Sequence, residues 1–475
     1  MQKLTLLLIE VRGTNLYLHN GLAYLAGALK NRGSVEIIDL NYLDWSEEQL
    51  IDYVRKANPQ IIGFSVKSTN VAKIINLIKE IKPLVNSLII VGGAHVSLLG
   101  KEFLEKNPEI DYGLQCEAER TMADFLDYLE GKKKVEEVSG LIYRKDQLCF
   151  TNPYSFNYNL DEINFPDYQA FRGVDVIKYF KKNSYPLLTS RGCPYNCIYC
   201  SVKNISGRAW RPRSVENIIQ ELIEARERYQ LKNFEIVDDN FTMDIRRALN
   251  FCQELIKHNL NLNWGCPNGI RADRITNELA RNMQASGCHY VSIGIESGDE
   301  EVFNNIKKGE TLEDIVKATK ILMKNKIKVA GFFIIGLPFD NLKKTKKTIK
   351  FINQLNLNGG VKWNFLIPYP KTELWDWVRI HGHSLTDFTK GRHFFKNEAK
   401  IVPTFETPDF TAKQRIKAWK IANLATSSYA YVFKIPKSKI LYKLKIFFYL
   451  LYYSPDLLLR KILRKILNEN SLFKR

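Results

Sequence analysis

Along its first 130 residues the chain alternates between short apolar runs and longer stretches whose apolar positions recur every three or four residues. The runs KLTLLLIEV, SVEIIDLN, IIGFSVKS, SLIIVGGAHVS and IDYGLQ predict five strands. Between them GLAYLAGALKNRG, EEQLIDYVRKA, VAKIINLIKEIKPL and KEFLEKN predict helices, the first stopped by Gly33. Strands that are apolar on both faces belong to a parallel sheet covered by helices on both sides. Such a doubly wound sheet takes its ligand at the carboxyl ends of its strands. The third strand ends at Ser65 and the fourth at Gly92-Gly93.

The rhythm breaks between about Val135 and Phe180, where VSGLIYRKDQLCFTN reads as a hairpin and NLDEINFPDYQAF as an irregular connector. A second β/α series opens at YPLLTSRGC and runs through NFEIVDD, NLNWGCPN, YVSIGIES, KVAGFFIIG and GVKWNFLIP, each followed by a helical stretch. Six units are too few for a closed eight-fold barrel, so a partial barrel is expected, with its chemistry where the strands end. After Gly382 the remainder reads as helical and basic. The expected fold class is α/β, in four parts. These are a doubly wound sheet over 1–134, a connector over 135–182, a partial (β/α)6 barrel over 183–385 and a helical basic region over 386–475.

Charge and cysteine content sharpen this picture. Of the formal net charge of +19, the last 45 residues carry 11 Lys/Arg against 2 Asp/Glu, so nearly half of the basic excess is concentrated in a tail. No window reaches the roughly 18 consecutive apolar residues of a membrane-spanning helix. The N-terminal run is read as a first strand, not a secretory signal, because no small-residue cleavage site follows it. Eight cysteines are too few for a disulfide scaffold, and five of them (Cys116, Cys149, Cys252, Cys266, Cys288) are scattered. A cytoplasmic protein is expected, in which a tight thiol cluster means metal or catalysis.

That cluster is SRGCPYNCIYC, with Cys193, Cys197 and Cys200 in eight residues. A structural zinc site would need a fourth ligand, and no Cys/His pair at finger spacing supplies one. Four thiolates normally hold an iron–sulfur cluster; three leave one iron open, as a catalytic metal site requires.

The pattern Cys-x3-Cys-x-aromatic-Cys, formed by Cys193, Cys197, Tyr199 and Cys200 in the first loop of a β/α series, resembles the radical S-adenosylmethionine superfamily. The resemblance implies a 4Fe–4S cluster whose open iron chelates S-adenosylmethionine. One electron then cleaves the sulfonium and releases a 5′-deoxyadenosyl radical that abstracts hydrogen from unactivated carbon. An electron donor such as flavodoxin or ferredoxin is implied. NFEIVDDNFTMD resembles the superfamily's second-strand motif and places Asp238 and Asp239 toward the methionine ammonium; a helix cap is the alternative. IGIESGDE resembles the fourth-strand motif, with Glu296 and Ser297 near the ribose or methionine. GFFIIGLP resembles the segment beside the adenine, and Arg271 of GIRAD is expected in the cavity. PYPKTEL resembles the end of the barrel, but Lys371 stands where the family has glycine, which puts the backbone turn there in question.

A doubly wound domain ahead of this barrel resembles the arrangement of cobalamin-binding radical enzymes. Ser65, Gly92 and Gly93 would then line the groove for the cofactor's nucleotide tail. The Asp-x-His-x-x-Gly motif that supplies a lower cobalt ligand is absent. His19 lies in the first loop (EVRGTNLYLHNG) without that spacing. A domain serving as scaffold alone remains the alternative.

The tail, KIPKSKILYKLKIFFYLLYYSPDLLLRKILRKILNENSLFKR, interleaves basic with apolar residues. It suits an anionic membrane surface, making the protein peripheral at the inner membrane. A helix packed on the barrel and a nucleic-acid surface are the other readings. Nucleic acid is disfavoured, because the methylthiotransferases that modify RNA carry further cluster cysteines in their N-terminal domain, where this chain has Cys116. The function expected is cobalamin-dependent methylation of an unactivated carbon in a lipid or other small-molecule natural product. The rival is a radical cyclisation, rearrangement or carbon–carbon coupling.

Overall fold

The computed structural model describes residues 4–13, 17–156, 158–387 and 402–426. The five expected N-terminal strands form β1 (Thr5–Glu10), β2 (Ser34–Asp39), β3 (Ile61–Ser65), β4 (Leu88–Gly92) and β5 (Tyr112–Leu114). They run parallel in the order β2-β1-β3-β4-β5. Along β1 the side chains alternate between two cores. Leu7 and Ile9 pack on one face, while Leu6 and Leu8 join a second core that continues into the rest of the molecule. Both faces are thereby buried, which is why the strands read as unbroken apolar runs. The strand order reverses between β1 and β3, and a doubly wound sheet opens its ligand crevice at such a reversal.

The hairpin β6 (Leu141–Lys145) and β7 (Leu148–Thr151) extends this sheet, with β6 antiparallel to β5. The stretch expected as a connector over 135–182 therefore contributes two strands to the first sheet. Its short apolar alternation shows in the sequence, but the partner strand does not.

The second series is a six-stranded parallel sheet in chain order. Its strands are β8 (Tyr185–Leu187), β11 (Asn233–Ile236), β12 (Asn263–Ile270), β13 (Cys288–Glu296), β14 (Lys328–Ile335) and β15 (Gly360–Phe365). Two short strands, β9 (Ser190–Arg191) and β10 (Arg211–Pro212), pair antiparallel just beyond β8 and close the base of the cysteine loop. The sheet has β8 and β15 at its two edges, so it is a partial barrel.

Part of the C-terminal region expected as a basic tail is core. Phe405–Glu406 pairs with His383–Ser384, and the helix Ala412–Ala425 packs on β15 and on the helix Leu342–Leu355. Trp419, Ile421, Ala422 and Leu424 are buried, and Arg415 is sandwiched at 4.1 Å from the Phe405 ring and 5.2 Å from that of Phe410. Trp419→Ala should cost about 3–5 kcal/mol, read from the midpoint of denaturant unfolding. An unchanged midpoint would mean the helix is not part of the barrel's cooperative unit. The segment 427–475, which holds the expected membrane-facing residues, lies outside the described residues.

Candidate active site at the domain junction

The three cysteines lie on a loop that leaves β9 and returns at β10. Gly192 turns its backbone at φ +85°, where an added Cβ would stand 2.2 Å from the carbonyl oxygen of Ala209. The Cys193 N–H donates to Gly207 O (3.2 Å) and the Cys200 N–H to Cys197 O (3.1 Å). Ile198 donates to Ile306 O, and Leu374 donates back to Ile198 O. The loop is thus fixed by elements that follow β13 and β15. Burial raises all three thiols, Cys197 to about 11 and Cys200 to about 12. Iron must therefore displace protons as it binds. Among the described residues no three His, Cys, Asp or Glu groups converge on a point that a single ion would occupy.

A buried charge network holds the inner face of the loop. Tyr199 donates from its hydroxyl to Glu296 Oε1 (3.1 Å). Glu296 occupies the left-handed region at φ +62°, where the β13–β14 register shifts. Lys308 Nζ lies 3.8 Å from Glu296 Oε1 and 3.0 Å from Glu310 Oε2, and it donates to Gly294 O. Arg271 stacks 3.4 Å from the Tyr195 ring centroid and donates to the carbonyls of Lys308 and Gly309 and to Asp273. Glu296 and Glu310 share Lys308, and Arg271 reaches Asp273 (2.9 Å) and Glu310 (3.7 Å), so the buried carboxylates are paired with cations where water screens little. Lys308, Glu310 and Tyr195 escaped the sequence reading. The motif KKGE offers charged residues beside a glycine but gives no sign that they are buried.

Two expected site residues are otherwise engaged. Asp238 is buried and accepts from the Thr189 N–H (2.6 Å), the Thr189 hydroxyl (2.5 Å) and the Ser190 hydroxyl (2.6 Å). Its oxygens tie β11 to the root of the cysteine loop. Ser297 pairs with the Thr348 hydroxyl (3.2 Å) and accepts from the Asp299 N–H (3.2 Å), so it shapes the turn after β13. Asp239 does face a cavity, accepting from the Gly192 N–H (3.1 Å) while it lines the wall. Asp238→Ala leaves the buried Thr189 N–H and hydroxyl without their acceptor, and leaves the Ser190 hydroxyl with Asn240 O at 3.4 Å. At about 1–3 kcal/mol per unsatisfied group, it should lower the melting temperature clearly, and by more than Ser297→Ala, which strands the Asp299 N–H alone. Equal melting temperatures for wild type and Asp238→Ala would overturn this role.

The cavity, of about 380 Å³, lies along one face of the first sheet, from Leu6 and Ile61 to the ends of β3 and β4, and reaches the barrel. Ser65, Gly92 and Gly93 line it from the first domain, and Arg191, Ser206 and Asp239 from the second. Gly93 has φ +100°, and a Cβ there would press within 2.8 Å of Val66 O, so the exits of β3 and β4 touch through bare backbone. His19 caps the helix Asn20–Leu29. Its Nδ1 accepts the Leu22 N–H (3.1 Å), which leaves the ring proton on Nε2, donated to Ser65 Oγ at 2.8 Å. Burial depresses His19 to about 3, so the imidazole is neutral.

Charged groups bind the two domains across this cavity. Arg191, two residues before Cys193, reaches Glu119 (2.6 Å) and Glu117 (3.2 Å), and Arg211 also pairs with Glu117. Lys371 keeps the left-handed turn at φ +63° although it is not glycine. Its Nζ donates to Ser97 O (3.2 Å) of the first domain, and its carbonyl accepts from Asn204 Nδ2 (3.0 Å). The departure at Lys371 thus preserves the turn and adds an interdomain contact.

The Radical SAM superfamily model matches residues 187–352, and the B12 binding domain model matches residues 11–126. Residues 187–352 thus form a Radical SAM domain, and residues 11–126 a B12 binding domain ahead of it. The chain's cofactors are a 4Fe–4S cluster, S-adenosylmethionine and cobalamin. It is similar to an uncharacterized methyltransferase of Pyrococcus horikoshii, 29% identical over 85% of this chain and 86% of that one. It is also similar to the hopanoid C-3 methylase of Methylococcus capsulatus, 25% identical over 82% and 73%. A third relative is the anaerobic magnesium-protoporphyrin IX monomethyl ester cyclase of Rubrivivax gelatinosus, 24% identical over 74% and 64%. Among solved structures, the radical S-adenosylmethionine methyltransferase TsrM from Kitasatospora setae matches with TM-score 0.72 at 16% identity, over 88% of this chain and 91% of that one. The cobalamin-dependent enzyme OxsB matches with TM-score 0.73 at 19% identity, over 98% and 75%.

The residues present fit these groups. Three thiols on a closed-base loop provide the donors a cluster with one open iron needs. The cavity offers apolar walls from Leu6, Leu8, Leu22 and Leu114 with polar groups at its rim, the pattern of a cofactor slot.

Proposed function

We propose that this enzyme methylates an unactivated carbon of a lipid or other hydrophobic small molecule. The observation that carries the reading is the cavity shared by the two domains, in which the β3 and β4 exits face Arg191 and Asp239 at the root of the cysteine loop. When bound, the cluster and S-adenosylmethionine supply hydrogen abstraction, and cobalamin supplies the methyl group. Cys193, Cys197 and Cys200 hold the cluster. Tyr199, Glu296 and Lys308 fix the inner face of the loop so that the reacting groups meet in one geometry. Ser65, Gly92 and Gly93 admit the corrinoid, and Asp239 orients the Gly192 amide beside it. Arg191 and Arg211, paired with Glu117 and Glu119, keep the domains closed and water out of the seam.

The methylase relatives support methyl transfer, and the cyclase relatives keep a radical cyclisation as the second reading. Among the described residues no helix is long and apolar enough to cross a membrane. The basic tail is the sequence feature that favours a lipid-surface substrate.

The test is anaerobic incubation of the reconstituted enzyme, cobalamin and methyl-labelled S-adenosylmethionine with an organic-soluble metabolite extract. Label is expected in an organic-soluble product. Turnover of S-adenosylmethionine with a changed but unlabelled product would move the assignment to cyclisation or rearrangement.

A further inference from the structure

A second cavity, of about 580 Å³, lies on the other side of the β5 exit from the one already described. Leu114 and Cys116 line the first cavity, and Gln115 between them lines the second. The two share no lining residue. The walls come from the turn between the helices Ala94–Leu99 and Lys101–Glu105, from β7, and from Lys371 at the end of the barrel. This second cavity therefore straddles the seam between the domains, at a size that holds a small molecule.

Three polar groups ring one point of its wall. Gly100 sits at φ +62°, and the place its Cβ would take is 3.0 Å from Gln115 Nε2, 3.7 Å from Thr151 Oγ1 and 4.0 Å from Lys371 Nζ. The bare Cα leaves the space between them open. Gln115 is only 9% exposed, and among the described residues its amide has no hydrogen-bond partner. Thr151 Oγ1 is buried and equally without a partner. Lys371 Nζ donates to one carbonyl, Ser97 O, and among the described residues has no carboxylate in ion-pair range. Buried polar groups are ordinarily paired, so two unpaired ones facing a shared space mark a place where a ligand completes the bonding. The other charges on the wall, Lys101 and Glu105, are exposed and face each other at 3.8 Å. Leu148 and Phe150, which also line the cavity, are exposed and give it an apolar lip.

We infer that this cavity is a binding site for a phosphate group. An ammonium, an amide N–H and a hydroxyl converge there from three separate segments, which suits a tetrahedral oxyanion better than a planar carboxylate. Lysine meets phosphate as a point charge and needs no fixed approach. A phosphate held over Gly100 satisfies Gln115 and Thr151, gives Lys371 a counter-ion, and ties the barrel to the first domain. The apolar lip favours an alkyl ester over free phosphate as the carrier. The site goes beyond methyl transfer, because its occupancy needs neither the cluster nor the corrinoid.

The test is calorimetric titration of the full-length reconstituted enzyme with hexyl phosphate, inorganic phosphate and hexanoate as separate probes. Hexyl phosphate should bind about tenfold or more tighter than hexanoate. Lys371→Gly, which keeps the left-handed turn without the ammonium, should weaken hexyl phosphate about tenfold or more, and the nearly isosteric Thr151→Val about threefold or more. Lys101→Gln removes the same charge from the exposed pair and should change the affinity by less than about twofold. Matching circular dichroism in all variants separates lost binding from a folding defect, and Thr151→Val carries the test if Lys371→Gly folds poorly. Tighter binding of hexyl phosphate than of inorganic phosphate supports an ester ligand and equal affinity supports free phosphate; both uphold the phosphate site. Absence of heat with either phosphate, hexanoate binding as tightly, undiminished binding in the folded Lys371→Gly and Thr151→Val variants, or equal weakening by Lys101→Gln would each overturn it. Failure of the wild type to transfer a methyl group would count against the proposed function and leave this binding measurement as it stands.

Discussion

Cys197→Ala protein, reconstituted with iron and sulfide under anaerobic conditions, is expected to hold no cluster and to leave S-adenosylmethionine uncleaved. Cys252→Ala should hold the wild-type complement of about four iron and four sulfide. The comparison isolates the ligand role, because both substitutions remove one thiol. Cys252 is fully buried on the helix Ile245–Lys257, far in sequence from the loop, and losing its sulfur leaves a small void. Cys197 is half-buried, and the loop around it is closed by backbone bonds at Cys193, Ile198 and Cys200 that the alanine leaves intact. Loss of the cluster in Cys197→Ala therefore cannot be traced to a collapsed loop, provided its melting temperature in the metal-free state matches wild type. Two thiolates are too few to retain the cluster against chelation, so the effect should be close to all-or-none. Equal cluster loss in both variants, or retention in both, would refute the assignment of the three thiols.

The sequence is informative where chemistry depends on local spacing. The strands β1, β3 and β4 follow apolar runs visible along the chain, because a strand buried on both faces must be apolar throughout, whereas β11, β12 and β15 mix buried with partly or fully exposed positions and are marked by the spacing of the β/α series. The cysteine motif is legible for the same reason, since its three ligands are neighbours in sequence. Ser65, Gly92 and Gly93 could be placed from the ends of their strands. What depends on distant partners was not legible. Asp238 reads as a free carboxylate at a strand end, yet it meets Thr189 and Ser190, 49 and 48 residues away. Lys308 and Glu310 look like surface charges, and become a buried pair through contact with β13. The Phe405–Glu406 strand and the helix Ala412–Ala425 follow the barrel as a basic, weakly patterned stretch. Their apolar face is defined by β15 and the helix Leu342–Leu355, not by periodicity. The Lys371 turn illustrates the converse. Its departure from glycine suggested a lost backbone conformation, but lysine there retains the left-handed φ while its ammonium reaches Ser97 across the domain seam.

Gly92→Phe should abolish corrinoid uptake while leaving the iron–sulfur spectrum and S-adenosylmethionine cleavage in place. The choice between the two adjacent glycines follows from their backbones. At Gly93, φ +100° and a Cβ 2.8 Å from Val66 O mean that any side chain forces apart the exits of β3 and β4, so loss of cobalamin there would report misfolding as readily as blockage. At Gly92, which has ordinary φ, the nearest atoms to an added Cβ are Leu114 O at 3.7 Å and Leu114 Cβ at 3.8 Å. The β4 backbone can therefore accept a side chain, which then fills the cavity that Gly92 lines. Retention of the far-ultraviolet circular dichroism and cluster content would show that the fold is intact, and the absence of corrinoid after gel filtration reads the blockage directly. Methyl transfer should vanish with the corrinoid. His19 adds a second expectation for the wild type. Its Nδ1 is engaged by the Leu22 N–H, and its Nε2–H is donated to Ser65, so neither nitrogen has a lone pair for cobalt. The Co(II) resonance spectrum should therefore lack nitrogen splitting from a protein imidazole, and His19→Ala should leave that spectrum unchanged. A wild-type spectrum with imidazole splitting that disappears in His19→Ala would show that the cap opens to ligate the metal. Corrinoid uptake by Gly92→Phe at the wild-type level would place the cofactor outside the cavity between β3, β4 and the barrel.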